Sequence, residues 1–94
     1  MFAWDDIAVF LALQRERTTT RAAAVLGCSQ PTVVRRLAAL EQAIGLTLFD
    51  RTASGLVPTD AAAQLLSSAE HVERCVCAFR AEVELLTGAG ADVI

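Results

Sequence analysis

The sequence predicts a mainly α-helical fold, and three observations carry that prediction. Apolar residues make up 54% of the 94 positions, and 18 positions are alanine, the strongest helix former. Tyrosine is absent and only Phe2, Trp4, Phe10, Phe49 and Phe79 are aromatic, so side chains that favour sheets are scarce. Apolar residues recur at steps of three and four, in runs that start at hydroxyl residues and stop at glycines. The length suits one ordinary domain. No apolar run approaches the ~20 residues needed to span a bilayer, so no membrane partner is expected. Asp5 and Asp6 stand where a signal peptide would carry positive charge. The three cysteines form no spaced framework, and a reduced, cytoplasmic setting is expected.

Each element follows from local chemistry. Asp5 to about Glu16 reads as an amphipathic helix with Ile7, Phe10, Leu11 and Leu13 as its apolar residues. Trp4 stands at its entry, and Asp5 and Asp6 suit the positive end of the helix dipole. Thr18-Thr19-Thr20 interrupts it, because β-branched hydroxyl residues favour caps over helix interiors. A short helix from about Thr20 to Leu26 stops at Gly27. Ser29 is the next N-cap, and Pro31 lies in a first turn, where its missing N–H costs nothing. This third helix runs to about Ile44 and ends at Gly45. Val33, Leu37, Leu40 and Ile44 form one stripe. The opposite face shows Pro31, Val34 and Arg35, with Gln30 and Thr32 at its edges. Leu48–Arg51 and Leu56–Pro58 flank a turn-like Thr52-Ala53-Ser54-Gly55, which predicts a small hairpin.

Thr59 then caps a long helix reaching about Leu86. Along it Ala62, Leu65, Ala69, Val72, Val76, Phe79, Val83 and Leu86 alternate steps of three and four, an unbroken heptad stripe. At 1.5 Å per residue the helix is about 40 Å long, more than the preceding segment can cover. Its second half needs a partner, and a two-fold dimer is the economical one. The domain boundaries expected are 1–59, 60–86 for the dimerisation helix, and 87–94 for a flexible tail or hinge start.

The second and third helices carry a more particular signal. Ala23, Gly27 and Val33 sit at offsets of four and six. A small residue lets the helices cross closely, glycine makes the turn, and an apolar residue locks the second helix into the core. This is helix-turn-helix spacing, whose second helix enters the major groove of DNA.

Thr20-Arg21-Ala22-Ala23, Leu26 to Val33, Arg35, Leu40-Glu41, Gly45, Leu48-Phe49-Asp50-Arg51, Gly55 and Thr59 together resemble the N-terminal DNA-binding domain of LysR-type transcriptional regulators. The resemblance runs ungapped from about Ile7 to Leu66. It implies a winged helix-turn-helix, a three-helix core plus hairpin wing, followed by a linker helix that pairs in a homodimer, with double-stranded DNA as the partner. Higher oligomers are open. A small-molecule effector is expected only if a C-terminal domain exists in the full-length protein. The Gly-Ala tail lies where the family's hinge begins, which favours an excised domain over a naturally short protein.

Roles follow for the DNA face. Ser29 caps the recognition helix, whose free N–H groups favour a phosphate. Gln30 can contact adenine and Arg35 guanine, each through two hydrogen bonds. Pro31 and Thr32 offer apolar surface to a thymine methyl, and Arg36 meets phosphate on the flank. Arg51 resembles the family's backbone-contacting arginine, and Thr18 and Thr20, read as caps, touch phosphate. Val34 stands where the family most often has serine, which puts one hydroxyl contact in doubt. Pro58 replaces a usual leucine, and Ala62 a usual glycine, stiffening the linker helix. The dimerisation residues are Leu65, Ala69, Val72, Val76, Phe79, Val83 and Leu86. A rival reading is a short dimerisation module that heterodimerises through this helix and modulates a full-length partner without binding DNA.

Other chemistry has little support. No Ser-His, Cys-His or paired-carboxylate constellation is placed for catalysis, and no glycine-rich phosphate loop is present. No enzyme activity and no cofactor are expected. Cys75-x-Cys77 with one distant histidine is not zinc-ligand spacing, so no metal is expected. Cys28 reads as a small core residue; Cys75 flanks the heptad seam, open to packing or an intersubunit disulfide. His71, Glu70, Glu73, Glu82 and Glu84 read as a solvated face.

The net charge of −3, with eight arginines and no lysine, at first disfavours a phosphate-binding protein. The total averages two regions. Residues 1–59 hold six arginines and five acids, a balance of +1, whereas 60–94 hold two arginines and six acids, −4. The acid lies on the linker helix and tail. With few cations near the groove, non-specific affinity is expected to be weak and salt-sensitive.

Overall fold

The computed structural model describes residues 2–88. Its elements are α1 (Trp4–Glu16), α2 (Thr19–Leu26), α3 (Gln30–Ile44), β1 (Phe49–Thr52), β2 (Gly55–Pro58) and α4 (Asp60–Thr87). This is a winged helix with a long C-terminal helix, as the sequence predicts.

Helix α1 is the centre of the domain rather than a one-sided surface helix. Its five consecutive residues Val9, Phe10, Leu11, Ala12 and Leu13 are all buried. Five successive residues sweep more than a full turn, so the helix is covered all round. The amphipathic reading of this segment is therefore corrected: α2, α3 and α4 each pack against α1. Ala22 and Ala23 bring α2 close, and Val33, Leu37 and Leu40 form the buried stripe of α3. Phe10 and Phe49 meet with ring centroids 5.8 Å apart, joining α1 to the first strand.

The helix termini refine two expectations. Helix α1 starts at Trp4, and the Ala3 N–H donates to Asp6 Oδ2 at 2.9 Å. Helix α2 starts at Thr19 because Thr18, not Thr20, is its cap: Thr18 Oγ1 accepts from the Arg21 N–H at 3.1 Å. Any member of the threonine run has the chemistry to cap. Arg17 decides among them by ending α1 in the left-handed region at φ 65, which delivers Thr18 in extended conformation.

The antiparallel hairpin pairs Phe49 with Pro58, Asp50 with Val57, Arg51 with Leu56 and Thr52 with Gly55. The first strand ends at Thr52 rather than Arg51, and only Ala53 and Ser54 form the turn. Thr52 Oγ1 donates to the Gly55 carbonyl at 2.7 Å. The hairpin is tied to the helices at three points. The Leu56 N–H donates to the Arg17 carbonyl at 2.8 Å. Glu41 Oε2 accepts from the Leu48 N–H at 2.7 Å. Thr59 Oγ1 donates to the Thr47 carbonyl at 2.6 Å while capping α4.

Helix α4 has 28 residues, about 42 Å of helix. Ala62 and Ala69 are buried and Leu66 packs on the core. Further along, Val72 and Val76 are half-buried, and Phe79, Val83 and Leu86 are exposed. Thr87 is helical and Gly88 caps the end, so the tail begins later than expected; residues 89–94 lie outside the described residues.

One acidic residue of the solvated face finds a partner on another helix. Arg15 Nη1 and Nη2 donate to Glu73 Oε2 and Oε1 at 3.0 and 2.8 Å, fastening α4 to the end of α1. These hydrogen bonds hold the Glu73 carboxyl below the usual carboxylate range and raise the Arg15 guanidinium. A depressed carboxylate contributes stability above its unfolded pKa of roughly 4.3, and that contribution is lost as pH falls through the folded value. The pair is largely solvated, so it is worth less than about 1 kcal/mol. Glu73→Gln is expected to melt a few degrees below wild type at neutral pH, a gap that closes in acid. A gap unchanged down to pH 2 would overturn this account.

Candidate nucleic-acid interface

The recognition face is assembled at the start of α3. Ser29 Oγ accepts from the Thr32 N–H at 3.3 Å and lies 2.8 Å from Thr32 Oγ1. This satisfies one of the N–H groups at the helix start, where the positive end of the dipole lies. Pro31 occupies the first turn, as its lack of an N–H allows. Because Val33, Leu37 and Leu40 point inward, helical geometry turns Pro31 and Arg35 outward and sets Gln30 and Arg36 at the edges of the buried stripe, and all four are exposed. Thr32 and Val34 are half-buried beside them.

Gln30 is already held. Its Nε2 donates to Thr19 Oγ1 at 2.9 Å, joining the start of α2 to the start of α3. Its amide oxygen is left for another donor. The Gly27 turn makes this approach possible: at φ 73 it reverses the chain in a conformation that glycine adopts without a Cβ clash.

A second cluster lies at the wing. Arg17, Thr18, Thr19, Arg51, Thr52 and Gly55 border a groove of about 250 Å³. The structure thus brings Thr18 and Arg51 together from segments 33 residues apart, and it adds Arg17, Thr19 and Thr52, which sequence reasoning missed. The threonine run was the available signal for Thr19; Arg17 gave none, because its place depends on its left-handed backbone. Thr20 is exposed in the first turn of α2 and is not among the groove residues. Among the described residues, no group of three or more potential metal ligands occurs, and no helix is long and apolar enough to cross a membrane.

Comparison with known proteins agrees with this geometry. Residues 4–63 match the family model of bacterial regulatory helix-turn-helix proteins, lysR family. The chain is 34% identical over 79 residues to the HTH-type transcriptional regulator BbuR of Bordetella bronchiseptica, covering 84% of this chain and 24% of that protein. It is 33% identical over 81 residues to the Mau operon transcriptional activator of Paracoccus denitrificans, covering 86% and 29%. The chain thus spans about a quarter of the length of these relatives. Among solved structures, the BenM_DBD/catB site 1 DNA complex superposes with a TM-score of 0.83 at 21% identity, covering 92% of this chain and 97% of that one. Oxidised Corynebacterium glutamicum OxyR gives 0.86 at 24% identity, covering 92% and 26%. These two likenesses concern the fold. The family match spans the helix-turn-helix and wing just described, and the chain belongs to the lysR family of bacterial regulatory helix-turn-helix proteins.

Proposed function

We propose that this chain binds double-stranded DNA sequence-specifically, as a homodimer and as the DNA-binding part of a LysR-type transcriptional regulator in the cytoplasm. Residues 1–59 make the DNA-binding unit and 60–86 the dimerisation helix. The carrying observation is the first turns of α3, where Gln30, Pro31, Arg35 and Arg36 stand exposed over a buried stripe. Gln30 and Arg35 read base edges, Pro31, Thr32 and Val34 supply apolar contact, and Ser29, Arg36, Thr18, Thr20 and Arg51 position phosphates. This intact face argues against a module that only intercepts partners. The role is regulatory rather than catalytic. An effector has a place only if the full-length protein carries a C-terminal domain.

The seam itself supports an antiparallel pairing. Aligned head to tail about residue 74, the eight seam residues pair without remainder: Ala62 with Leu86, Leu65 with Val83, Ala69 with Phe79 and Val72 with Val76. Each alanine then meets a large side chain, as interdigitating layers require. A parallel pairing sets Phe79 on Phe79 and alanine on alanine. Beside Ala69 lies a hollow of about 300 Å³, bordered by Phe2, Ile7, Leu46, Leu65 and Val72, which suits an entering phenylalanine.

The test is a mobility shift with duplexes selected from a random library, measured at several salt concentrations. Arg35→Ala is expected to cost about 1–3 kcal/mol against the selected site and to relax preference at one base pair per half-site. Arg51→Ala is expected to weaken all duplexes alike and to lower the salt slope by about one charge per copy. Failure of the wild type to bind any duplex at 50 mM salt would sink the reading.

A further inference from the structure

Thr19 and Gln30 each occupy the first position of a helix, α2 and α3. The Thr18 cap fixes the first place and the Ser29 cap the second. The Gly27 turn folds the chain back until Gln30 Nε2 reaches Thr19 Oγ1 at 2.9 Å, across eleven positions of sequence. Thr19 also borders the wing groove, beside Arg17, Thr18, Arg51 and Thr52. It thus stands between the Gln30 side chain, which meets base edges, and the groove, which meets phosphate; this rests on the DNA-binding reading above.

A hydroxyl has one proton to give and two lone pairs to receive with. Thr19 Oγ1 spends a lone pair on Gln30, and among the described residues its own proton meets no acceptor. The groove beside it carries two arginines, and a phosphate seated there offers that proton an anionic acceptor. A hydroxyl that donates to phosphate can only accept from its other neighbour. The Gln30 amide must then turn its NH2 group to Thr19, and its oxygen is what remains for a base. In the free protein water competes for this exposed bond. Docked DNA displaces that water, and the two bonds then polarise each other in one direction.

In the major groove the amines of adenine and cytosine donate, whereas the keto oxygens of guanine and thymine accept. An amide oxygen held toward the bases matches an amine and repels a keto group. An amide free to flip offers either edge and loses the distinction. We infer that Thr19 is the positioning residue that sets the base preference of Gln30: it donates to a backbone phosphate in the wing groove while it holds the amide oxygen toward an amino base. Ordering the glutamine before DNA arrives also lowers the entropic cost of docking it.

The experiment has two readouts. NMR follows the side-chain amide resonances of Gln30 in the free protein. Mobility shifts then use a selected duplex, edited at the base pair whose preference disappears in Gln30→Ala. One edit removes the exocyclic amine from that pair, the other removes the keto oxygen opposite it. Each takes away one base-pairing hydrogen bond, so their difference reports the protein. The wild type is expected to lose about tenfold more affinity from the amine edit than from the keto edit. Thr19→Val keeps the branched shape without the hydroxyl; it is expected to shift the Gln30 resonances and to erase the difference, with wild-type circular dichroism. Thr19→Ser is expected to restore both. A keto edit that costs the wild type more than the amine edit overturns the inference. So does a difference that survives Thr19→Val, or a Thr19→Val that weakens every duplex alike. Gln30 resonances unchanged in Thr19→Val overturn the positioning role alone, whereas a wild type that binds no duplex overturns the DNA-binding reading and this role together.

Discussion

Phe79→Glu is expected to keep the proposed dimer from forming and to lower DNA affinity by about 10²–10⁴-fold. Phe79 is 68% exposed in the single chain, so the substitution removes little intramolecular packing. In the dimer it places a carboxylate against the partner's Ala69 and the apolar hollow beside it. A charge removed from water without a counter-charge costs several kcal/mol, which exceeds what one seam layer contributes. Once the halves separate, the second recognition helix no longer binds at the high effective concentration set by the first. Sedimentation and mobility shift read the two losses separately, and the monomer is expected to keep its helical circular dichroism. Cys77→Glu, on the outer side of the same helix, is the control and is expected to stay dimeric. A Phe79→Glu protein that sediments as a dimer would refute the seam.

Gly55→Val is expected to destabilise the domain by about 3 kcal/mol or more, through a mechanism confined to one point. Gly55 has φ 125, and a Cβ there would lie 2.7 Å from the Arg17 carbonyl oxygen. That oxygen accepts from the Leu56 N–H at 2.8 Å, so moving it away breaks the bond that fastens the wing to the helices. Backbone strain of this kind costs about 1–3 kcal/mol, and the clash adds to it. For a domain of this size the loss corresponds to a melting temperature lower by roughly 12–24 °C. Gly45 separates the two causes. It too has positive φ, 75, but a Cβ there meets nothing within 4 Å. Gly45→Ala is therefore expected to cost about 1 kcal/mol from backbone conformation alone. If the two variants melt within a few degrees of each other, the close approach to Arg17 has no energetic consequence.

The elements that the sequence made legible are those with local causes. Ser29 and Thr59 as caps, Gly27 and Gly45 as stops, and the α3 stripe depend on residues within a turn or two. The DNA face of α3 was legible for the same reason, because one buried stripe fixes its opposite. What stayed hidden depends on contacts between distant segments. The unbroken apolar run from Ile7 to Leu13 carries the signal of all-round burial, but which helices surround it depends on segments far along the chain. The choice of Thr18 over Thr20 turned on the left-handed Arg17, and Glu73 is paired because Arg15, 58 positions earlier, reaches it. The wing groove was half visible: Thr18 and Arg51 were named singly, but their meeting depends on the hairpin's attachment to the Arg17 carbonyl.

The Arg15–Glu73 pair has a mechanical meaning. Thr87, the end of α4, lies fourteen residues beyond Glu73, a lever arm of about 21 Å. The pair sits at its base, just before α4 becomes exposed. A rocking of 5° there carries the far end through about 2 Å, more than half the 3.4 Å rise of a DNA base step. In the proposed two-fold dimer both arms carry a reading head, which ties the geometry of this pair to the spacing of the heads along a duplex.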